Sequence, residues 1–151
     1  MTLAEKKESL LADLARIKDP QERIAYAVDC GRRHTPFDNA CKTEDNRVEG
    51  CLAQLWLKAT FLDGRCIFQT DSDSAIMKGI AALLCEFYSG HTPEEIVAIE
   101  PSFLAQVGIT QHLTPNRRNG LSRLWEKMRD FAADRIKERG RGLVFLEPPP
   151  Q

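Results

Sequence analysis

The sequence predicts a segregated α+β domain in which a small antiparallel sheet of about three strands packs with flanking helices. Apolar residues recur at helical spacing toward both ends of the chain, and strict alternation appears in one central stretch around Asp63-Gly64. Too few strands alternate with helices for a parallel sheet. At 151 residues the chain suits one domain, able to bury roughly two-thirds of its unfolded surface without a metal or disulfide. We place that domain at residues 1–138 and read residues 139–151 as a proline-rich tail, since three successive prolines favour extended chain.

Thr2 and Glu5 have the spacing of a capping box, after which Leu10, Leu11, Leu14 and Ile17 form a helical stripe until Asp19-Pro20 interrupts it. Asp19 then caps a second helix with Pro20 in its first turn, burying Ile24, Ala27 and Val28 and stopping near Gly31. Residues 32–46 are polar and aperiodic, which reads as loop. A short strand is expected near residues 47–49. Leu55, Leu57, Ala59 and Phe61 alternate with Trp56, Lys58 and Thr60 as the next strand, and Asp63-Gly64 turns it back into residues 65–70. Asp73 or Ser74 caps a third helix carrying Ile76, Ile80, Leu83, Leu84 and Phe87, ended by Gly90. Thr92-Pro93-Glu94-Glu95 opens a short helix, and residues 101–107 make another brief one closed by Gly108. The longest helix starts near Thr114-Pro115, with Leu121, Leu124, Met128, Phe131 and Ile136 on its apolar stripe, and breaks at Gly140 and Gly142.

Composition excludes several function classes. Lysine plus arginine number 21 against 22 acids, so the basic excess of a non-specific nucleic-acid binder is missing. No apolar run approaches the roughly 20 residues of a membrane span, and the polar start points to a cytoplasmic protein. Five cysteines without pairwise spacing do not make a secreted disulfide framework, so reduced thiols are expected. Cys85 and Cys66 fall in apolar helix and strand contexts and Cys30 near a helix end, all consistent with small buried hydrophobes. Cys41 stands in the polar loop.

Cys51 differs from all four. It lies in Arg47-Val48-Glu49-Gly50-Cys51-Leu52-Ala53-Gln54-Leu55-Trp56, after a glycine and ahead of a strand. A small loop movement there can shield or present a thiol. Residues 46–56 resemble the signature of the SufE family of sulfur acceptors for cysteine desulfurases. The resemblance continues through Asp71-Ser72-Asp73-Ser74 with Lys78-Gly79, then Leu113-Thr114-Pro115-Asn116-Arg117 with Gly120-Leu121, and covers most of residues 5–135.

That resemblance implies a SufE/NifU-like fold and a covalent sulfur carrier. Cys51 would take persulfide sulfur from a SufS-type, pyridoxal-phosphate cysteine desulfurase, stimulate that enzyme, and deliver the sulfur for iron–sulfur cluster assembly on a downstream scaffold. The pyridoxal phosphate would belong to the partner, with no cofactor or metal on this chain, which is expected to be a monomer or weak dimer. Arg117 would support the thiolate, Gly50 would allow the loop to turn, and Asp71 and Asp73 would serve partner docking beside the ordinary role of a helix cap. Arg47 and Arg118 are further cations for a thiolate, opposed by Glu49. Leu52, Leu55 and Trp56 are near enough in sequence to help shelter the sulfur. The family more often has an acid at the place of Cys41, where a second exposed thiol would be able to resolve a persulfide into a disulfide.

Two other readings remain open at this level. Cys30, Cys41 and Cys51 with His34 form a candidate zinc or iron–sulfur scaffold site of NifU/IscU type, although their intervals contain no CxxC knuckle. Cys51 with His112 as base would make a thiol hydrolase, since the partners of a catalytic cysteine are often distant in sequence.

Overall fold

A computed structural model describes residues 1–50 and 52–140. Thr2 and Glu5 do form a reciprocal capping box, and helix α1 runs over Leu3–Ala15. Asp19 accepts from the Gln21 N–H and Pro20 occupies the first turn of α2, Pro20–Arg33. This helix continues past Gly31, the expected stop. Gly31 instead serves a close helix crossing, because a Cβ there would lie 2.8 Å from the Cα of Gly79.

The loop that follows contains two 3-10 turns, Asn39–Cys41 and Glu44–Asn46. Strands β1, Leu55–Leu62, and β2, Arg65–Ser72, form an antiparallel hairpin in which Leu62 opposes Arg65 and Leu55 opposes Ser72. Asp63 and Gly64 both have positive φ, 52° and 77°, the backbone of a two-residue turn whose twist suits the strands. Of the three strands expected, the one near residues 47–49 is reduced to a single bridge from Arg47 to Trp56, extended by the Val48 N–H donating to the Leu55 carbonyl at 2.8 Å. The chain turns away at Gly50 before a ladder can build.

Ser74 caps α3, Ala75–Tyr88, by accepting from the Met77 N–H. Ten of its residues are buried, so α3 is apolar nearly all round and stands at the centre of the fold. One side packs on β2 and another on α2. The inward residues of the hairpin, among them Leu55, Leu57, Cys66 and Phe68, join Met77, Ile80, Leu84 and Tyr88 in one core. Thr92 and Glu95 form a second capping box at the start of α4, Pro93–Ala98, and α5 is a single turn, Phe103–Gln106.

The last helix, α6, spans Pro115–Gly140 and packs across α4, α3 and β1. Leu121, Leu124 and Met128 are buried on its stripe, joined by Trp125, whose ring stacks on Tyr88 at 5.1 Å. Ile136 is only half-buried. Helix continues through Gly140, two residues beyond the boundary drawn at 138, and the rest of the expected tail lies outside the described residues. Among the described residues no helix is long and apolar enough to cross a membrane.

Candidate functional site

The candidate site is built where the chain passes from the Arg47–Trp56 bridge into β1. Cys51 itself lies outside the described residues, so its setting is defined by the neighbours on either side. Gly50 has φ of +83°, in the left-handed region that disfavours a side chain, as its role in the turn requires. Before it, Val48 is anchored in the core at 2% exposure. After it, Leu52 is 85% exposed, whereas Leu55 is fully buried. Of the residues read as near enough to help shelter the sulfur, Leu52 projects into solvent, Leu55 belongs to the core, and Trp56 lies beneath the ammonium of Lys42, 5.1 Å from its ring centre.

The far side of this turn is held by residues of the DSDS run. Asp73 Oδ1 accepts from the Gln54 N–H at 2.9 Å, and the Asp73 N–H donates back to the Gln54 carbonyl at 3.2 Å. Ser72 Oγ donates to that same carbonyl at 2.6 Å. Asp73 is thus a brace for the residue that leads into β1, while the neighbouring Ser74 takes the cap. Asp71 sits between two ammonium groups, Lys42 at 3.1 Å and Lys78 at 3.5 Å. Partial burial pushes its pKa up, but the bond from Lys42, the Ser72 N–H and the Lys78 charge outweigh that effect and hold the carboxyl below its usual range.

Two α6 side chains meet the turn from the other side. Asn119 Nδ2 donates to the Gly50 carbonyl at 2.7 Å. Arg123 packs across Gly50, close enough that a Cβ built there would lie 3.2 Å from its Nε. Arg123, Arg47 and Lys127 share a shallow hollow of about 210 Å³ with Glu49, Glu126 and Asp130. Three cations balance three acids there, so the field beside the turn is mixed rather than strongly positive. Arg117 occupies the first turn of α6, where its N–H donates to Thr114 Oγ1 at 3.3 Å. Arg118 donates instead to the Leu113 carbonyl, closing the helix start at 2.6 Å. The cation that the described residues bring to Gly50 is Arg123, which the sequence reading did not single out.

The other thiols have different surroundings. Cys85 is fully buried and desolvation drives its pKa well up, which keeps it a neutral thiol. Burial pushes Cys66 up to about 11. Cys30 is also raised, by burial and then by the charge of Glu86, and it lines an open cleft of about 400 Å³ between α1, α2 and α3. Cys41 is half-buried in its 3-10 turn, with its carbonyl accepting from Asn46 Nδ2 at 2.8 Å.

The ring nitrogens of His34 are both engaged, Nε2 accepting from the Thr70 N–H at 3.4 Å and Nδ1 3.1 Å from a Glu86 carboxylate oxygen. Among the described residues no three His, Cys, Asp or Glu side chains converge as metal ligands. His112 ends a 3-10 turn, Thr110–His112, and is exposed.

Comparison with known proteins concerns most of this fold. The family model for the SufE Fe-S metabolism associated domain matches residues 8–132. Over 131 residues the chain is 35% identical to the SufE-like protein 1, chloroplastic/mitochondrial, of Arabidopsis thaliana, a match covering 86% of this chain and 35% of that protein. It is 33% identical over 131 residues to an uncharacterized SufE-like protein of Synechocystis, covering 87% of this chain and 82% of the relative. The chain therefore spans about a third of the length of the Arabidopsis relative. Its fold is similar to the solution structure of a hypothetical protein from Thermus thermophilus, with a TM-score of 0.71 at 18% identity, covering 87% of this chain and 96% of that one.

Proposed function

Because the chain belongs to the SufE family, a domain associated with Fe-S metabolism, we propose that it is a covalent sulfur carrier in which Cys51 accepts sulfur from a cysteine desulfurase. The reaction is thiol–persulfide exchange. The Cys51 thiolate, having given up its proton, attacks the outer sulfur of the persulfide on the desulfurase cysteine. A new S–S bond forms at Cys51 as the old one breaks, and the electron pair leaves on the desulfurase thiolate, which takes up a proton. No net oxidation occurs, so the step needs no electron acceptor. Pyridoxal phosphate resides on the partner, and removal of sulfur speeds the partner's turnover. The Cys51 persulfide then supplies an iron–sulfur scaffold, in a cytoplasmic setting.

The observation that supports this reading best is the place of the Gly50 turn within the matched residues. It stands between a braced strand entry and α6, with Leu52 open to solvent. A protein partner is able to reach such a turn. A carrier of this kind requires little small-molecule pocket, because the cargo arrives on another protein's cysteine. The burial-raised pKa values of Cys66 and Cys85 leave them poor thiolate donors at neutral pH.

The experiment is intact-mass spectrometry after incubation with a pyridoxal-phosphate desulfurase and free cysteine. The wild-type chain is expected to gain one sulfur that reductant removes, and Cys51→Ser is expected to gain none while remaining folded. Equal sulfur uptake by the Cys51→Ser variant would refute the assignment.

A further inference from the structure

The open cleft of about 400 Å³ between α1, α2 and α3 falls within the range of small-molecule sites. Its floor is apolar, made by Leu83 and Phe87 of α3, both buried, and its sides carry Leu10 of α1 and the Tyr26 ring of α2. It shares no residue with the hollow beside Gly50. The two stand toward different ends of α3: Asp73, which braces the strand entry, immediately precedes the Ser74 cap, whereas Glu86 on the cleft lies 12 residues beyond Ser74, roughly 18 Å along the helix.

Charged groups ring that floor, and they are unequally satisfied. Asp13 pairs with Arg16 at 3.3 Å and Glu86 lies 3.1 Å from His34 Nδ1, so both carboxylates of the cleft are engaged by groups outside its lining. Lys6 is not matched in this way. Its Nζ donates to the Glu86 backbone carbonyl at 2.7 Å and lies 5.9 Å from the Phe87 ring centre, and among the described residues no carboxylate pairs with it. One carbonyl occupies one of the three N–H bonds of an ammonium. Burial lowers the Lys6 pKa and the charge of Glu86 offsets this only in part, the state of a cation that has given up water without gaining a full counter-charge. On the α2 wall, Arg33 directs Nε to Asp29 at 3.4 Å and Nη2 to the Cys30 sulfur at 3.7 Å, a weak acceptor. Burial also raises the Tyr26 phenol and the Cys30 thiol, so desolvated titratable groups gather around one hollow.

We propose that this cleft is a binding site for a small organic carboxylate with an apolar body, the carboxylate held by Lys6 Nζ and Arg33 Nη2 and the hydrocarbon laid on Leu10, Leu83 and Phe87. A carboxylate supplies the charge that the Lys6 ammonium lacks and accepts from a guanidinium that a thiol satisfies poorly. Inorganic phosphate would meet both cations but leave the apolar floor uncovered. A neutral alcohol would cover the floor but leave the ammonium short of charge. Binding is noncovalent, since the neutral Cys30 thiol is a poor nucleophile. The site is separate from the carrier reading and uses none of the residues that build the Gly50 turn.

The test titrates sodium hexanoate into the full isotope-labelled chain and follows backbone amide chemical shifts, which needs no desulfurase. Saturable shifts are expected at Leu10, Cys30, Leu83 and Phe87. Hexanol, with the same chain and no charge, is expected to bind about 10-fold more weakly, the lower end for a hydrogen bond to a charged group at a half-exposed site. Lys6→Gln is expected to weaken hexanoate by a similar factor and leave hexanol unchanged, while Lys6→Arg keeps most of the wild-type affinity. Leu10→Ser is expected to weaken both ligands, as apolar contact is lost. Thermal melting checks that each variant remains folded, as expected for side chains that are not in the core. Equal affinity for hexanoate and hexanol, tighter binding of hexylammonium, wild-type affinity in Lys6→Gln, or the absence of saturable shifts at those four residues would each overturn the proposal.

Discussion

Gly79 is where a single methyl group should do the most damage to the fold. It sits inside α3 against α2, and an ideal Cβ there would lie 2.6 Å from the Ala27 carbonyl oxygen, 2.6 Å from Val28 Cα and 2.7 Å from Val28 N. All three are backbone atoms, so no flexible side chain is able to move aside. Comfortable contact begins at roughly 3.5 Å, which means the two helices must part by about 1 Å. Gly79→Ala would gain about 1 kcal/mol from helix propensity. Overpacking a filled interior costs about 1–3 kcal/mol, and an obstacle made of backbone places this site at the upper end. The net expectation is a loss of about 2 kcal/mol, or about 4–8 °C in melting temperature for a domain of this size. Urea unfolding is the assay, with a lower midpoint and an unchanged slope as the expected result. Gly31→Ala, whose Cβ would meet Gly79 Cα at 2.8 Å, should behave similarly. An alanine variant at 79 as stable as the parent would show that the helices separate freely and that the glycine pair is not a packing requirement.

Other outcomes follow from the same structure. Cys66→Ala and Cys85→Ala should each lose about 1–2 kcal/mol of stability through the buried volume removed, while sulfur uptake at Cys51 persists; uptake lost without destabilisation would reverse the assignment of thiols. Asp73→Asn keeps an acceptor for the Gln54 N–H and should retain both stability and sulfur uptake, whereas Asp73→Ala leaves that N–H without its partner and should cost about 1–3 kcal/mol. Slow uptake by a stable Asp73→Asn variant would assign the charge to docking. Glu95 is held near a pKa of about 2 by bonds from the Leu3 and Thr92 N–H groups and from His91, against 4.5 ordinarily. A folded pKa lowered in this way adds stability above pH 4.5 that is lost as pH falls from 4.5 toward about 2. After allowance for its partial exposure, the wild-type advantage over Glu95→Gln should be about 1–2 kcal/mol at pH 7 and shrink below pH 4.5. Chemical denaturation at a series of pH values reads it, and a constant gap down to pH 3 would refute it.

Features written in neighbouring residues are legible in the sequence itself. Thr2 with Glu5, Thr92 with Glu95, and Asp63-Gly64 each carry a complete local instruction, two capping boxes and a tight turn, and each forms as read. Gly31 departs from its expected role because a glycine that ends a helix and one that admits a neighbouring helix look alike until the neighbour is known. Trp125 lies beside Leu124 rather than on the simple stripe, and its burial depends on Tyr88. The Cys51 region was legible through its resemblance to a family signature. Asn119 and Arg123 were not, since polar residues on a helix resemble a solvated face and their contact with Gly50 spans 69 positions in the case of Asn119. Leu52 shows the same gap, for nothing in its local sequence tells that it will face outward.

The smallest multi-turn helix has an outsized place in the molecule. Glu95 on α4 receives the N–H of Leu3, where α1 begins, and Glu94 pairs with Arg139 near the far end of α6. Both ends of the described chain are thereby moored to one short segment. Asn119 lies 20 residues before Arg139 on α6, roughly 30 Å away at the helical rise of about 1.5 Å per residue. The Gly50 turn and the Arg139 mooring thus stand well apart along α6.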